Sequence, residues 1–230
     1  MIQIRNSLES KINEIESVGQ SIEDIEIEIK EIENKLGVMA RSIHKKGAIA
    51  IPVFTKQLEK ILKSLEMKNT RISINLIQGN ELLVNGKDTL EFLISANKGL
   101  TFESLKKAAS GGEISRIMLA VKNILSKYAN LPAIIFDEID TGVSGEVSNK
   151  IADIMQQMST QMQVISITHL PQIAAKGNHH FKVFKEEVGG KITSNIKLLD
   201  ENERIVELAE MLGGKDLTDS AIAHAKQLLN

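Results

Sequence analysis

The chain has 230 residues, with no cysteine, no tryptophan, one tyrosine and a formal net charge of -2. Without cysteine there is no disulfide framework, thiolate nucleophile, iron-sulfur cluster or cysteine-built zinc site, and 3% aromatic residues leave too little surface to stack single-stranded nucleic acid. The 42% hydrophobic share suits one or two domains with a real core; no apolar run nears the ~18 residues of a membrane span, and without a basic, apolar leader at Met1 the expected compartment is the cytoplasm, with no membrane partner.

Charge is segregated along the chain. Residues 1–36 carry nine acids against four bases, a balance of -5, and residues 37–68 carry seven bases (Arg41, Lys45, Lys46, Lys56, Lys60, Lys63, Lys68) against Glu59 and Glu66, a balance of +5. Two helices laid side by side would neutralise each other; the +5 segment is otherwise the one candidate for contacting DNA phosphates. The apolar residues Leu8, Ile12, Ile15, Val18, Ile22, Ile25, Ile29, Ile32 and Leu36 recur at three- and four-residue spacings, a coiled-coil seam with one stammer. Gly19 falls at the stammer, and Ser21 with Asp24 reads as a capping box, so two helical pieces joined at residues 18–20 are expected. Such a seam needs a partner helix, either a second copy or a segment outside this chain.

Residues 37–68 read as a looser helix, kinked or split at Pro52, with Val53, Leu58, Ile61, Leu62 and Leu65 as its buried face. Short strands are predicted at 71–77, 81–84 and 90–95, with Asn85-Gly86 as a turn. Ile114, Ile117, Met118, Val121, Ile124 and Leu125 then mark a helix, 133–136 a fully buried strand, Val147, Ile151, Ile154, Met155 and Met158 a second helix, and 164–167 a second strand. That order is a βαβ unit with parallel strands, adjacent or one apart. The methionines fall mostly on apolar faces and read as core filler. His44, His179, His180 and His224 show no metal-ligand spacing and read as structural.

Open parallel sheets bind ligands at the carboxyl ends of their strands. The first predicted strand ends in Asp137-Glu138 and the second in Thr168-His169. An aspartate there can hold Mg²⁺, a glutamate one residue on can polarise a water, and an imidazole at the same edge can hydrogen-bond a phosphate or that water. Solvated acids and a structural histidine are the ordinary alternative. Ser110-Gly111-Gly112-Glu113 opens a helix; it reads as a capping box or as an anion site of hydroxyl, glycines and free amides. Paired glycines disfavour a helix, which favours close approach of a ligand.

Taken in order, Ser110 to Glu113, Asp137-Glu138, Asp140 to Gly145, Thr168-His169-Leu170-Pro171-Gln172, and the flanking stretches 91–97 and 209–214 resemble the carboxyl-terminal half of an ABC-type ATPase head. The wording is similar to that of the RecN family of bacterial DNA-repair ATPases, relatives of the SMC ATPases. The resemblance implies an α/β fold: the carboxyl-terminal lobe of an SMC-like head over 69–230, with a helical coiled-coil arm over 1–68. It implies the signature motif at Ser110, Gly111, Gly112 and Glu113, a magnesium partner in Asp137, a catalytic base in Glu138, a D-loop including Asp140, Thr141 and Gly142, and a switch histidine in His169. Ala109 stands where many ABC proteins have leucine, and Glu113 where glutamine is common.

A P-loop requires Gly-x-x-x-x-Gly-Lys-Ser/Thr, and the Gly-Lys pairs at 86, 190 and 214 are followed by Asp88, Ile192 and Asp216. The resemblance therefore implies a chain that uses ATP and Mg²⁺ only with an amino-terminal half carrying the P-loop and partner helix, and across a homodimer of heads. DNA is the implied substrate of the whole, located in the nucleoid, and this chain alone is expected to be inactive. The alternatives are another SMC-type or ABC head, or a non-enzymatic coiled-coil adaptor needing only residues 1–36.

Overall fold

The computed structural model describes the backbone of residues 2–230 except 98, 100, 109, 141, 144, 189, 215 and 216, and side chains at the same residues except 3, 7, 8, 10, 12, 14, 15, 108 and 188. The chain divides into two compact units, one of residues 1–53 with 74–91 and one of residues 54–73 with 92–230.

In the first unit, the helix expected as two pieces is one. Helix α1 (Ile2–Ser64) runs without interruption past Gly19 and Pro52. The Ser21 hydroxyl donates to the Ser17 carbonyl at 2.9 Å, the back-bond of a serine inside a helix rather than the bond of a cap. One glycine costs a helix only about 1 kcal/mol, less than a break. The seam is uncovered: Val18, Ile22, Ile25, Ile29, Ile32 and Leu36 are between 40% and 58% exposed. Leu8, Ile12 and Ile15 fall outside the described side chains.

Strands β1 (Arg71–Leu83) and β2 (Gly86–Ser95) replace the three short strands expected. Their turn sits one residue early, on Val84-Asn85, and Gly86 opens β2 with φ 117°, a conformation open chiefly to glycine. Gly79-Asn80 reads locally as a break. Instead Gly79 lies within β1, where an added Cβ would stand 3.1 Å from the Lys87 carbonyl oxygen. Strand β3 (Glu103–Ser104) pairs antiparallel with β2. His44 Nδ1 lies 2.9 Å from Asp88 Oδ1, linking α1 to β2, and Val53 is exposed rather than buried.

In the second unit, Leu58 and Leu62 of the last turns of α1, and Leu65 just beyond its end, are fully buried, each contributing about 1.5–3 kcal/mol by leaving water. Helices α2 (Leu105–Ala108) and α3 (Gly111–Ser126) lead to β4 (Ala133–Asp137), α4 (Gly145–Ser159) and β5 (Gln163–Ile167). The strands are adjacent and parallel, with Ala133 opposite Gln163 and Asp137 opposite Ile167. Leu65, Leu119, Phe136, Val147, Ile151, Met155 and Met158 form the core beneath them. Met67 and Met162 are buried too, whereas Met39, Met118 and Leu125 are exposed.

The fully buried strand predicted at 133–136 is covered on one face only. Phe136 is buried while Ile135, Ile165 and Ile167 are exposed. A continuous apolar run marks a strand meant to be covered on both faces. Downstream come α5 (Pro171–Lys176), the antiparallel hairpin β6 (Phe181–Val188) and β7 (Lys191–Leu198), α6 (Glu201–Gly213) and α7 (Asp219–Leu229). Leu208, Ala209, Ala221 and Ala225 join Ala175 in a smaller core. Asp200 and Thr218 cap α6 and α7 by accepting from the backbone N–H groups of Glu203 and Ala221. Phe181, Val183, Ile192, Ile196 and Leu198 leave much of the hairpin's apolar surface open.

Candidate functional site

The carboxyl edge of the β4–β5 pair holds Asp137, Glu138, Asp140 and His169 among the residues singled out from sequence. Beyond Asp137 the Glu138 N–H still donates to the Ile167 carbonyl at 3.1 Å, so the ladder extends one bond past the strand. Glu138 itself has φ 46°. A non-glycine residue in this region is strained by about 1–3 kcal/mol, and the kink breaks the strand's alternation, leaving both Asp137 and Glu138 exposed.

Asp140 turns inward and is 1% exposed. Its Oδ2 accepts a hydrogen bond from the Thr168 hydroxyl. Its Oδ1 is buried without a hydrogen-bond donor and lies 3.8 Å from Nδ1 of His169, whose side chain is 62% exposed. The Thr168 oxygen in turn accepts from the Leu170 N–H at 3.0 Å. Gly142 has φ 74° with open space around it. Thr141 and Ser144 lie outside the described residues.

Ser110 precedes α3 with extended backbone. The Glu113 carboxylate accepts from both the Ser110 N–H, at 2.8 Å, and the Ser110 hydroxyl, at 2.9 Å. Gly111 is exposed, and a Cβ there would meet nothing within 4 Å. Gly112 is half-buried, and Ala109 is outside the described residues. The Ser110 hydrogen bonds to Glu113 and Ile114 stay within this cap, while Asp137, Glu138, Asp140 and His169 follow the ends of β4 and β5.

The sequence reading missed three features. Thr168 carried no role, because a threonine at the end of a strand is unremarkable until its partner is known. Lys87 shares a cleft of about 370 Å³ with Arg41, Gln78, Gly79 and Asn80 in the first unit, a pairing only the β1–β2 turn reveals. His180 is half-buried with an unpartnered Nδ1; burial first, and then the Arg204 charge, push its pKa below the usual histidine range.

Among the described residues no three His, Cys, Asp or Glu side chains gather as a metal cage. Mg²⁺ is commonly held by one or two carboxylates together with substrate phosphates, so an exposed, single Asp137 suits that ion rather than a resident metal. No helix among the described residues is long and apolar enough to cross a membrane.

No protein-family model matches the chain. It is 37% identical over 229 residues, 98% of its length, to DNA repair protein RecN of Halalkalibacterium halodurans, covering 39% of that protein. It is 35% identical to RecN of Bacillus subtilis over its whole length, covering 42% of that protein, and 30% identical to RecN of Vibrio cholerae, again over its whole length and 42% of the relative. The chain thus spans about two fifths of the curated relatives it matches. Among solved structures, the Smc head domain with coiled coil and joint from Pyrococcus yayanosii matches 70% of the chain, covering 29% of that structure's chain, at TM-score 0.53 and 19% identity. The Smc head domain with extended coiled coil from Pyrococcus furiosus also matches 70%, covering 38% of its own chain, at TM-score 0.50 and 20% identity. The chain matches the carboxyl-terminal portion of RecN along nearly its whole length, and its mixed α/β fold is similar to that of Smc head domains.

Proposed function

We propose that this chain is the carboxyl-terminal part of an SMC-like ATPase acting in DNA double-strand-break repair and recombination, with residues 1–68 as its helical arm and 69–230 as its head lobe. The observation that carries the reading is the β4–β5 edge: Asp137, Glu138 and His169 sit at the ends of two adjacent parallel strands, in a chain with no P-loop sequence. The open faces at Ile135, Ile165 and Ile167 and along the α1 seam support an amino-terminal half that supplies both P-loop and partner helix.

Within that reading Glu138 is the catalytic base, accepting a proton from the attacking water, and His169 lies beside it to orient the water or a phosphate. Asp137 would hold Mg²⁺, which neutralises charge on transferring phosphates when bound. Ser110, Gly111 and Gly112 would receive phosphate from a second head at the amino end of α3, where free amides and the helix dipole favour an anion. To do so the Ser110 hydroxyl must turn away from Glu113. Thr141 and Gly142 are assigned by the same reading to the D-loop, which would meet the second head. DNA is the proposed substrate of the whole assembly, in the nucleoid of the cytoplasm, with phosphates met by the +5 segment and the Arg41–Lys87 cleft.

The test is reconstitution. The chain alone should hydrolyse essentially no ATP, and adding the amino-terminal half should restore turnover that Glu138→Gln abolishes and Ser110→Arg blocks. Robust turnover by the chain alone, or no gain on mixing, would overturn the assignment.

A further inference from the structure

We propose that Asp140 and Thr168 are positioning residues, holding the His169 imidazole so that Nδ1 carries a proton and only Nε2 faces the strand edge. The purpose of this arrangement rests on the ATPase reading above; its geometry does not.

A buried carboxylate needs donors on its oxygens, because an unpaired charge out of water is costly. Asp140 is 1% exposed and half satisfied: Thr168 donates to Oδ2, while Oδ1 is fully enclosed and receives nothing. The ion-pair neighbour of Oδ1 is His169 Nδ1 at 3.8 Å. That is beyond hydrogen-bond length, but less than an ångström of ring movement closes it. The His169 side chain is 62% exposed, which leaves the ring room to move.

Thr168 fixes which way the carboxylate faces. Its single hydroxyl hydrogen goes to Asp140 and its oxygen accepts the Leu170 N–H. The rotor therefore has both roles assigned, on a β-branched side chain whose χ1 is already restricted. Thr168 and His169 are consecutive in the chain, so the residue that anchors Asp140 also sets where the ring begins. A neutral imidazole has one donor and one acceptor nitrogen. An acceptor at Oδ1 selects Nδ1–H and leaves the Nε2 lone pair outward; when the ring is charged, the same carboxylate faces the same N–H. Whatever meets His169 at the edge meets Nε2.

The experiment is nitrogen-detected NMR of imidazole tautomers on the full chain, at a pH where the ring is neutral, with the His169 signals identified by their loss in His169→Gln. Wild-type chain is expected to show His169 with its proton on Nδ1. Thr168→Val should shift it to the Nε2–H form, and Thr168→Ser, which keeps the hydroxyl, should hold Nδ1–H. An Nε2–H tautomer in the wild-type chain overturns the proposal whether or not any variant folds, as does an unchanged tautomer in a folded Thr168→Val. In the reconstituted protein, Thr168→Val should lower kcat roughly ten- to hundredfold with KM unchanged and Thr168→Ser restoring it; a shifted tautomer with unchanged kcat also overturns the positioning role. If the wild-type halves show no turnover together, the ATPase reading fails and the tautomer alone decides the positioning.

Discussion

The Glu138 N–H donates to the Ile167 carbonyl at 3.1 Å, which ties the residue after β4 to the last residue of β5. This bond holds Glu138 in a left-handed conformation, φ 46°, that its side chain disfavours. Glu138→Gly should relieve the strain and stabilise the chain by about 1 kcal/mol in urea unfolding. The same change should remove turnover from the reconstituted protein. A less stable variant would show that the backbone bond contributes less than the side chain's own contacts.

Glu113 accepts from two Ser110 donors. Glu113→Ala should cost about 1 kcal/mol through the lost cap, and Glu113→Gln should retain most of it, because its amide oxygen still accepts. Thermal unfolding of the two variants checks this; equal losses would place the effect in helix propensity rather than in the cap.

Leu62 is fully buried on the part of α1 that follows Pro52. Leu62→Ala should destabilise the second unit by about 2–5 kcal/mol, while exposed Val53→Ala should stay within about 0.5 kcal/mol. Comparable effects at both sites would argue against the burial boundary after Val53.

His180 contributes to pH dependence with a definite sign. Its folded pKa is lowered by burial first and by Arg204 second, so the unfolded chain takes up the proton more readily. The contribution to stability is complete above the unfolded histidine value of about 6.5 and is lost as pH falls from there through the lower folded value. His180→Gln should flatten this acid-side decline in denaturant midpoint; an unchanged slope would assign it to other groups.

Arg41 and Lys87 line one cleft, with no ion pair to either among the described residues. If they meet DNA phosphates, replacing both with alanine should reduce the salt slope of binding by roughly two charges in the reconstituted protein. A slope unaffected by the pair would leave the cleft without a role in DNA binding.

The βαβ unit was legible because its apolar runs were long and uniform, and because acids and a histidine ended them at one edge. Leu58, Leu62 and Leu65 were legible from their helical spacing. The continuity of α1 was not, since Ser21 can cap a helix or bond back to Ser17, and only the fold chooses. The length of β1 was hidden by Gly79-Asn80, which reads as a break locally and is required by the approach of Lys87. The resemblance assigns Asp140 to a D-loop, but no local pattern marks it as buried. Its burial depends on Thr168, 28 residues away, a separation no local pattern spans. The open face of β4–β5 reads as buried because a continuous apolar run looks the same in sequence whether one face of the strand is covered or both.

That open face also bears on the life of the molecule. Ile135, Ile165 and Ile167, with Phe181, Val183 and Ile196 on the β6–β7 hairpin, are uncovered apolar strand surface, the kind that recruits chaperones or self-aggregates. A copy left uncovered is therefore expected to be short-lived, and its steady-state abundance should track the supply of whatever covers it rather than its own rate of synthesis.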